Sequence, residues 1–237
     1  MKNEQYVCLI CGYNMAGYHP DKCPFCGASR EEFITADECY ARFNVKRFTV
    51  NKKVARLNSV PRLGLEHFAY CIQTNNKTYW IDCPSSFDDC LKRMDIILFT
   101  HHHFLGASNL YREYFSSRTC IHKLDSVHDI CQAFTFDKSF LEDFTEDGIE
   151  AFHIGGHTPG FTFYIFEDAL FICDYVFLRE GKMLYNHFGP EKDTREGGRK
   201  IKSIIENRNI NMVCGYNYVI DYSDWKSKFD NLCVYHH

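Results

Sequence analysis

The chain has 237 residues, 45% of them hydrophobic, and a formal net charge of -4 at pH 7 without a long block of like charge. This length can bury a sizeable core, and one main domain with an appendage is the natural division. The balanced charge gives no indication of nucleic acid or an anionic membrane as a partner. No stretch is apolar over the ~18 residues that cross a bilayer, and the first residues lead into a cysteine motif rather than a signal-peptide core. We expect a soluble, cytoplasmic protein.

The first thirty residues carry two cysteine pairs of C-x2-C spacing, Cys8 with Cys11 and Cys23 with Cys26, and glycine follows each pair. Two tight turns that present four thiolates suit a tetrahedral cation, and glycine lets the backbone direct N–H groups at sulfur. The total of thirteen cysteines is odd and the others are irregularly spaced, which favours a reducing compartment over a secreted disulfide framework. The pattern predicts a metal site.

The segments Cys-Leu-Ile-Cys-Gly-Tyr and Cys-Pro-Phe-Cys-Gly-Ala-Ser-Arg-Glu-Glu-Phe resemble a shortened rubredoxin of the kind appended to larger redox enzymes. The resemblance covers residues 5–34 and implies one Fe(Cys)4 centre that carries one electron. Zinc in the same cage would form a purely structural ribbon, because it has no redox chemistry. Iron is favoured, since Tyr13 and Phe33 also match the rubredoxin pattern. A unit this small usually needs its metal to fold.

The sequence divides into a metal-knuckle domain over residues 1–34, a connection without sustained periodicity over residues 35–43, and a main domain over residues 44–237. Early in the main domain, two apolar strands on either side of the turn Thr-Asn-Asn-Lys predict a hairpin. The hairpin spans residues 68–83, and Asp82 lies at the end of its second strand.

The apolar run at residues 96–99 predicts a buried parallel strand, which the sequence Thr-His-His-His-Phe-Leu-Gly follows. In extended backbone, His101 and His103 share one side while His102 faces the other. One metal ion can therefore bind the first and third imidazoles of this stretch.

This stretch resembles the T-H-x-H-x-D-H signature of the metallo-β-lactamase superfamily. Thr100, His101 and His103 are in register with it, whereas Leu105 and Gly106 stand in place of the aspartate and the last histidine. In the superfamily, the aspartate that corresponds to the hairpin's Asp82 supports the metal site from behind.

The next segments alternate between strands and helices. Patterns predict a helix over residues 108–115, a strand over 119–122, a helix over 125–132 and a strand over 149–153. The acidic segment 137–147 is interpreted as a solvated, partly helical surface. Alternating strands and helices predict an α/β fold.

His157 lies in the sequence Gly-Gly-His-Thr-Pro-Gly, which forms the tight, fixed turn that a loop-borne metal ligand needs. It matches the superfamily's G-H-T-P-G segment without a gap. A second predicted hairpin, over residues 162–174, ends at Asp174, where the superfamily has its bridging aspartate, usually after glycine. Cys173 occupies that glycine position and should point away from Asp174 if the strand is regular.

The last part predicts an amphipathic helix over residues 199–207, a strand over 211–214, and then Gly215 and Tyr216. The superfamily has glycine and its last metal-binding histidine at these two positions. The resemblance as a whole implies an αββα sandwich preceded by the rubredoxin-like metal-knuckle domain.

The superfamily's ligands for its first metal are all present: His101, His103 and His157. Of the second metal's ligands only Asp174 remains, because leucine, glycine and a neutral tyrosine of pKa ~10 replace the others. We predict one metal, with Asp174 as fourth ligand or proton acceptor and Tyr216 as a second catalytic candidate. Zinc there would act as a Lewis acid, and ferrous iron would resemble a non-haem centre. The rubredoxin-like unit favours iron, since a zinc hydrolase has no evident use for an electron carrier.

Two branches of the superfamily are distantly similar. Flavodiiron oxygen and nitric oxide reductases combine the lactamase fold with redox modules, but this chain lacks their flavodoxin domain and has His103 in place of their glutamate. Persulfide dioxygenases hold a single iron through positions that correspond to His101, His157 and Asp174, yet their downstream acid and histidine are missing here. Both resemblances imply redox chemistry, and the second implies a mononuclear site.

We therefore predict a rubredoxin-linked metalloprotein whose mononuclear, preferably iron, site performs redox chemistry on O2, a peroxide, NO or a sulfur species. The alternatives are a mononuclear zinc hydrolase with a structural zinc ribbon, and a non-catalytic binding or assembly protein with a decayed site. The expected partners are a small-molecule substrate and an electron-donor protein or reductase, with neither nucleic acid nor membrane. A head-to-tail homodimer is a further hypothesis, in which the two centres of different chains meet.

Overall fold

The computed structural model describes residues 4–234, so the ends of the two predicted domains, residues 1–3 and 235–237, lie outside it. The first part is a small antiparallel sheet, in which β1 lies between its two neighbours. The strands are β1 (Gln5–Cys8), β2 (Asn14–Ala16) and β3 (Phe33–Thr35). The two cysteine turns lie in the loops of this sheet, the first directly after β1, and a 3-10 turn, Arg30–Glu32, precedes β3.

The segment predicted as the connection contains a helix, α1 (Ala36–Arg42). A capping box begins it: Thr35 Oγ1 accepts a hydrogen bond from Glu38 N, and Glu38 Oε2 accepts one from Thr35 N at 2.8 Å. Such a box stabilises a helix start whatever the apolar pattern behind it. A helix of seven residues with one buried side chain, Cys39, has no periodicity that the sequence could reveal.

The main domain starts with a seven-stranded sheet in the order β10-β9-β8-β7-β6-β5-β4. Its strands are β4 (Asn44–Thr49), β5 (Val54–Val60), β6 (Ala69–Gln73), β7 (Thr78–Ile81), β8 (Ile96–Leu98), β9 (Arg118–His122) and β10 (Lys138–Phe140). Strands β4 to β7 pair antiparallel, and β7 to β10 pair parallel. The predicted hairpin and the predicted buried parallel strand are both confirmed. Helices α2 (Ser108–Phe115) and α3 (Lys123–Ser126) belong to this half.

The second sheet has six strands in the order β11-β12-β13-β14-β17-β18. The strands of this half are β11 (Phe144–Glu146), β12 (Ile149–His153), β13 (Thr162–Phe166), β14 (Ala169–Cys173), the separate hairpin of β15 (Val176–Arg179) and β16 (Lys182–Tyr185), β17 (Met212–Gly215) and β18 (Val219–Asp221). Its helices are α4 (Glu191–Ile205) and α5 (Tyr222–Val234). No helix within residues 4–234 has the length and apolar character needed to cross a membrane.

The two large sheets pack face to face, and helices cover their outer faces. Between the sheets lie large apolar side chains such as Tyr79, Leu98 and Phe171. Tyr111 of α2 packs on the outside of the first sheet, and Ile201 of α4 on the outside of the second, each within an apolar cluster. The four layers give the predicted αββα order.

Two predicted elements of the main domain differ from the structure. The helix expected over residues 125–132 is replaced by α3 and a 3-10 turn, Asp129–Ala133, and the helix expected over 199–207 is the end of the longer α4. Nδ1 of His122 caps the start of α3, and Nδ1 of His128 caps the start of the 3-10 turn. These two caps divide the segment predicted as one helix.

The acidic segment 137–147 forms strands β10 and β11 rather than a partly helical surface. Asp137 at its start accepts hydrogen bonds from Arg112, at 2.9 and 2.6 Å, and Asp147 at its end accepts one from Tyr79 at 2.6 Å. These carboxylates are fixed to helix α2 and to strand β7 by residues distant in sequence. Tertiary pairing therefore outweighs the helical tendency of a charged segment.

Candidate metal centres

Four thiols converge between the two cysteine turns. Sγ of Cys8 lies 3.7 Å from Sγ of Cys26, Sγ of Cys11 lies 3.7 Å from Sγ of Cys23, and all four sulfurs are within 4.8 Å of one another. A tetrahedron with metal–sulfur bonds of about 2.3 Å has edges of about 3.8 Å, so the group fits one ion. The glycine after each pair has positive φ, 77° and 76°, as the turn requires.

The environment of these thiols favours a thiolate. Hydrogen bonds from the thiols of Cys11 and Cys8, with the backbone N–H groups of Cys26 and Phe25, lower the pKa of Cys23, and the hydrogen bond with Cys23 raises the pKa of Cys11. Metals bind thiolates, so a cage that already stabilises one negative sulfur is prepared for a cation. The backbone donors around Cys23 agree with the sequence-based expectation that these turns direct N–H groups at sulfur.

A second cluster lies where strands of both large sheets end. It consists of the residues that the sequence predicts as ligands of the main-domain metal: His101, His103, His157 and Asp174. Nε2 of His157 lies 3.2 Å from Nδ1 of His103 and 3.5 Å from a carboxylate oxygen of Asp174, and Nε2 of His101 lies 3.5 Å from the other oxygen. Donors bound tetrahedrally at about 2.1 Å to one ion are about 3.4 Å apart. The four donors fit a single metal.

Burial sets the charge of this cluster. It lowers the pKa of His101 and His103 well below the ordinary value and that of His157 to about 3, and it raises the pKa of Asp174 well above its usual range. Nε2 of His101 and Oδ1 of Asp174 are buried and have no hydrogen-bond partner among residues 4–234. A cation would provide the missing partner and counter-charge, so these residues fit a metal ion.

Asp82 supports the first histidine through Thr100. The Asp82 carboxylate accepts hydrogen bonds from Thr100 N at 2.8 Å and from Thr100 Oγ1 at 2.9 Å. Thr100 Oγ1 also lies 2.9 Å from Nδ1 of His101. Because the hydroxyl proton goes to the carboxylate, the oxygen accepts the Nδ1–H, and the lone pair of Nε2 faces the cluster. Asp82 thus lies behind the site, as the resemblance implies.

Cys173 precedes Asp174 with a left-handed backbone, φ 49°, and the pairing of β14 with β17 shifts between Phe171 and Cys173. The strand is irregular there, so the side-chain direction expected for a regular strand does not apply. The Cys173 thiol donates a hydrogen bond to Oδ2 of Asp82 at 3.1 Å. Positive φ explains why glycine is the superfamily's usual residue at this position.

The histidine stretch turns sharply. His101 is extended, but residues His102–Phe104 form a 3-10 turn, so His101 and His103 do not share a side of one strand as extended backbone would give. His103 reaches the cluster from within the turn. The ring of His102 points elsewhere, with Nδ1 3.3 Å from the buried carboxylate of Asp125, which also accepts a hydrogen bond from His102 N.

Two residues stand where the signature has metal ligands, and both are packed closely against neighbouring residues. Leu105 is buried in the apolar cluster of the first sheet. Gly106 has φ 49°, its carbonyl accepts a hydrogen bond from Gln5 of the first domain at 3.2 Å, and a Cβ there would collide with the carbonyl oxygens of Cys83 and Pro84. A histidine side chain does not fit at this position.

Tyr216, the second catalytic candidate, lies near the cluster without joining its ligand atoms. Its hydroxyl donates a hydrogen bond to the carbonyl of Leu65, and burial raises its pKa. Its ring lies 5.9 Å from that of Phe104, which in turn lies 4.9 Å from that of His101. A catalytic role for Tyr216 stays a prediction.

Asn186 is part of the site, although the sequence analysis did not identify it. Its Nδ2 donates hydrogen bonds to the backbone oxygen of Asp174 at 3.0 Å and to Oδ2 of the same residue at 2.9 Å, and it lies 3.2 Å from Nε2 of His157. Oδ1 accepts a hydrogen bond from Phe188 N, which fixes the orientation of the amide. Its position directly after β16 is the one signal that the sequence offers.

The two clusters lie next to each other within one chain. Phe25, which lies between Cys23 and Cys26, has its ring 5.5 Å from that of His103 in an edge-on arrangement. The same ring stacks on that of Tyr13 at 6.0 Å, and Tyr13 packs with three of the cysteines. One side chain of the cysteine turn therefore contacts a residue of the histidine cluster.

Comparison with known proteins separates the chain into two parts. The rubredoxin-like domain of rubrerythrin is the family whose model matches residues 6–34. A comparison with curated protein sequences finds no match.

Solved structures match most of the chain. A metallo-β-lactamase from Pontibacter korlensis is 14% identical, covering 79% of this chain and 100% of its own, with a TM-score of 0.63. The metallo-β-lactamase FIM-1 from Pseudomonas aeruginosa, in its mono-zinc form, is 10% identical, covering 80% and 95%, with a TM-score of 0.64. An archaeal superfamily protein from Sulfolobus tokodaii is 13% identical, covering 70% and 79%, with a TM-score of 0.53. The chain thus joins a rubredoxin-like domain to a domain of the metallo-β-lactamase fold.

Proposed function

We propose that the chain is a rubredoxin-linked oxidoreductase in which iron occupies both centres and a small molecule such as O2, a peroxide, NO or a sulfur species reacts at the histidine site. The observation that carries the proposal is the contact between Phe25 and His103. A structural zinc ribbon has no need to contact the metal ligands of its neighbour. For an electron carrier, this placement brings the four-cysteine metal close to the site that receives the electron.

The chemistry of the two metals would be complementary. Iron held by four cysteines supplies one-electron transfer, and iron held by histidines and a carboxylate supplies an open position for a small molecule. Reduction of hydrogen peroxide to two water molecules consumes two electrons and two protons, and reduction of O2 to water consumes four of each. The rubredoxin-like domain carries one electron at a time, so it must be reduced again after each transfer. The proposal therefore includes an external electron-donor protein or reductase.

The chain's own side chains have defined tasks in this proposal. Asp174 is a fourth ligand or a proton acceptor, and Asn186 holds its carboxylate in place. Asp82, through Thr100, fixes the tautomer of His101 so that Nε2 faces the metal. Tyr216 is the second catalytic candidate, and its raised pKa keeps its hydroxyl protonated.

A mononuclear zinc hydrolase is the second candidate, and one observation favours it. FIM-1, which shares the fold, was solved in a mono-zinc form. Three imidazoles and a carboxylate accept zinc as readily as ferrous iron. The identity of the metals in the native protein separates the two candidates.

The test begins with anaerobic purification, metal analysis and a visible spectrum. We expect two irons per chain and thiolate-to-iron charge-transfer bands. After reduction of the protein, addition of O2, peroxide, NO or a polysulfide should restore these bands as the four-cysteine iron is reoxidised. His157→Ala should lose one iron and the fast reoxidation while its charge-transfer bands stay.

The matched control is His153→Ala. His153 is a nearby histidine whose Nε2 contacts the carbonyl of Pro159 rather than the cluster, so both irons should remain. A colourless protein with two zincs contradicts the proposal and supports the hydrolase. Equal reoxidation rates in His157→Ala and the wild type also overturn it.

A further inference from the structure

The metal ligands of the histidine site are enclosed to different degrees. The residues His101, His157 and Asp174 are almost fully buried, at 0%, 3% and 1% exposure. His103 alone is partly exposed. The side of the cluster nearest to solvent is therefore the side of His103.

Aromatic rings narrow this approach. The ring of Phe25 lies 5.5 Å from that of His103 and 5.6 Å from that of Phe188, which comes from the segment after β16. Phe25 is held between two cysteines and stacks on Tyr13, so its position is fixed by the four-cysteine site. Phe188 is 55% exposed and forms the outer edge. The rubredoxin-like domain thus contributes one wall of the entrance.

Asn186 closes the site on another side. A cavity of about 390 Å³ lies between the β15–β16 hairpin and α4, and its lining includes Asn186 but none of the four metal ligands. The amide of Asn186 is fixed by hydrogen bonds with Asp174 and with Phe188 N. A large molecule in this cavity is separated from the metal by a side chain that cannot turn away without breaking those bonds.

From this enclosure we propose that the histidine site accepts only ligands of two or three heavy atoms, and that Phe25 and Phe188 set this limit. The inference rests on the proposed function and narrows it: O2, NO and hydrogen peroxide enter, whereas organic hydroperoxides, organic persulfides and ester-like substrates do not. The specificity of the main domain would then depend on a residue of the rubredoxin-like domain.

The experiment measures ligand binding to the cobalt-substituted protein by difference spectroscopy of its visible bands. Azide and benzoate are both monoanions of different size, and because their donor atoms also differ, the affinity ratio of each variant is compared with that of the wild type. We expect azide to bind and benzoate to bind at least about tenfold more weakly, because a rigid wall rejects the larger ring. Phe25→Ala and Phe188→Ala should each reduce the ratio of the benzoate dissociation constant to the azide dissociation constant by about tenfold.

Two control variants test whether the change in ratio is specific to Phe25 and Phe188 and whether the signal comes from the histidine site. Tyr18→Ala removes an exposed aromatic ring of the same domain, 56% exposed, and should leave the ratio unchanged. His157→Ala should abolish the azide difference spectrum, which assigns the signal to the histidine site. The cobalt–thiolate bands report whether the first domain of the Phe25 variant is folded, and Phe188→Ala tests the limit without altering that domain.

Equal binding of azide and benzoate to the wild type would overturn the proposal. So would an unchanged ratio in both phenylalanine variants. The measurement involves no electron transfer, so it can succeed in a protein that proves to be a zinc enzyme. A failure of the redox function and a failure of the size limit are therefore separate results.

Discussion

Asn186 contacts the histidine cluster through a carboxylate. It donates two hydrogen bonds to Asp174, and 2% of the residue is exposed. Residues that orient a ligand in this way typically change metal affinity by about 10–100-fold when they are removed. We expect Asn186→Ala to weaken metal binding at the histidine site by about that factor, as measured by competition with a chelator.

Affinity at the four-cysteine site should not change in this variant. Asn211→Ala provides the comparison, because Asn211 is an exposed asparagine whose amide binds the carboxylate of Asp168 instead. Equal metal affinity in the two variants would show that Asn186 does not position Asp174.

The sequence could not single out Asn186 for a physical reason. Histidine and aspartate in tight, glycine-rich turns indicate metal binding by their residue type and spacing. The structure brings those residues together. An asparagine after a short strand is typical of an ordinary turn. Its role depends on where a hairpin distant from the signature folds back, which is tertiary information. The ligand roles themselves stay predictions until a metal is measured.

At the scale of elements, the connection between β5 and β6 in the main domain forms a hydrogen bond with the first cysteine turn of the rubredoxin-like domain. Leu65 N donates a hydrogen bond to the carbonyl of Ile10 at 3.0 Å, and the neighbouring Glu66 is buried. The Glu66 carboxyl accepts hydrogen bonds from N and Oγ of Ser59. Burial nevertheless raises its pKa from 4.5 to about 7.

This raised pKa makes the connection sensitive to pH. The folded state holds the proton of Glu66 more tightly than the unfolded state, so its stabilising contribution is complete below pH 4.5 and is lost as the pH rises through about 7. Glu66→Gln offers both contacts without the charge, because Oε1 accepts from Ser59 N while Nε2 donates to Ser59 Oγ. Between pH 4 and pH 8, the wild type should lose about 3 kcal/mol of unfolding free energy relative to this variant.

Urea unfolding of both proteins at the two pH values measures this difference. The comparison of one protein with the other at each pH cancels the pH dependence of metal binding. A free-energy difference between wild type and Glu66→Gln that is the same at both pH values would show that folding does not shift the pKa of Glu66.

Most elements with strong local patterns were predicted correctly, and the exceptions have a common cause. The two hairpins, the buried parallel strand and α2 follow from apolar runs and turn residues. Residues 137–147 form strands because Arg112 and Tyr79 bind the carboxylates at their ends. Side-chain caps at His122 and His128 divide the region predicted as one helix. Each exception depends on individual side-chain contacts that periodicity does not describe.

At the scale of the whole molecule, motifs predicted both domains but not their arrangement. The signature residues identify a rubredoxin-like domain and a lactamase fold separately, and each is confirmed. Which surface of one domain contacts the other depends on side chains without a motif, such as Gln5 on Gly106 and Asn14 on the carbonyl of Ser85. The sequence therefore left open whether the two centres meet within one chain or between two.

The contact of Phe25 with His103 favours transfer within one chain. We expect the four-cysteine iron, once reduced, to be reoxidised through the histidine site in a first-order process. Its rate constant should stay the same over a wide range of protein concentration, as measured by stopped-flow absorption of the charge-transfer bands. Transfer within one chain needs no second copy.

A head-to-tail dimer predicts a different result. If each four-cysteine centre served the histidine site of another chain, the rate would rise with protein concentration until the dimer is saturated. Mixing two inactive variants separates the cases further. Protein that lacks the histidine metal through His157→Ala, mixed with protein that lacks the cysteine metal through Cys23→Ala, should stay inactive if transfer occurs within one chain. Recovery of fast reoxidation in the mixture would establish transfer between chains.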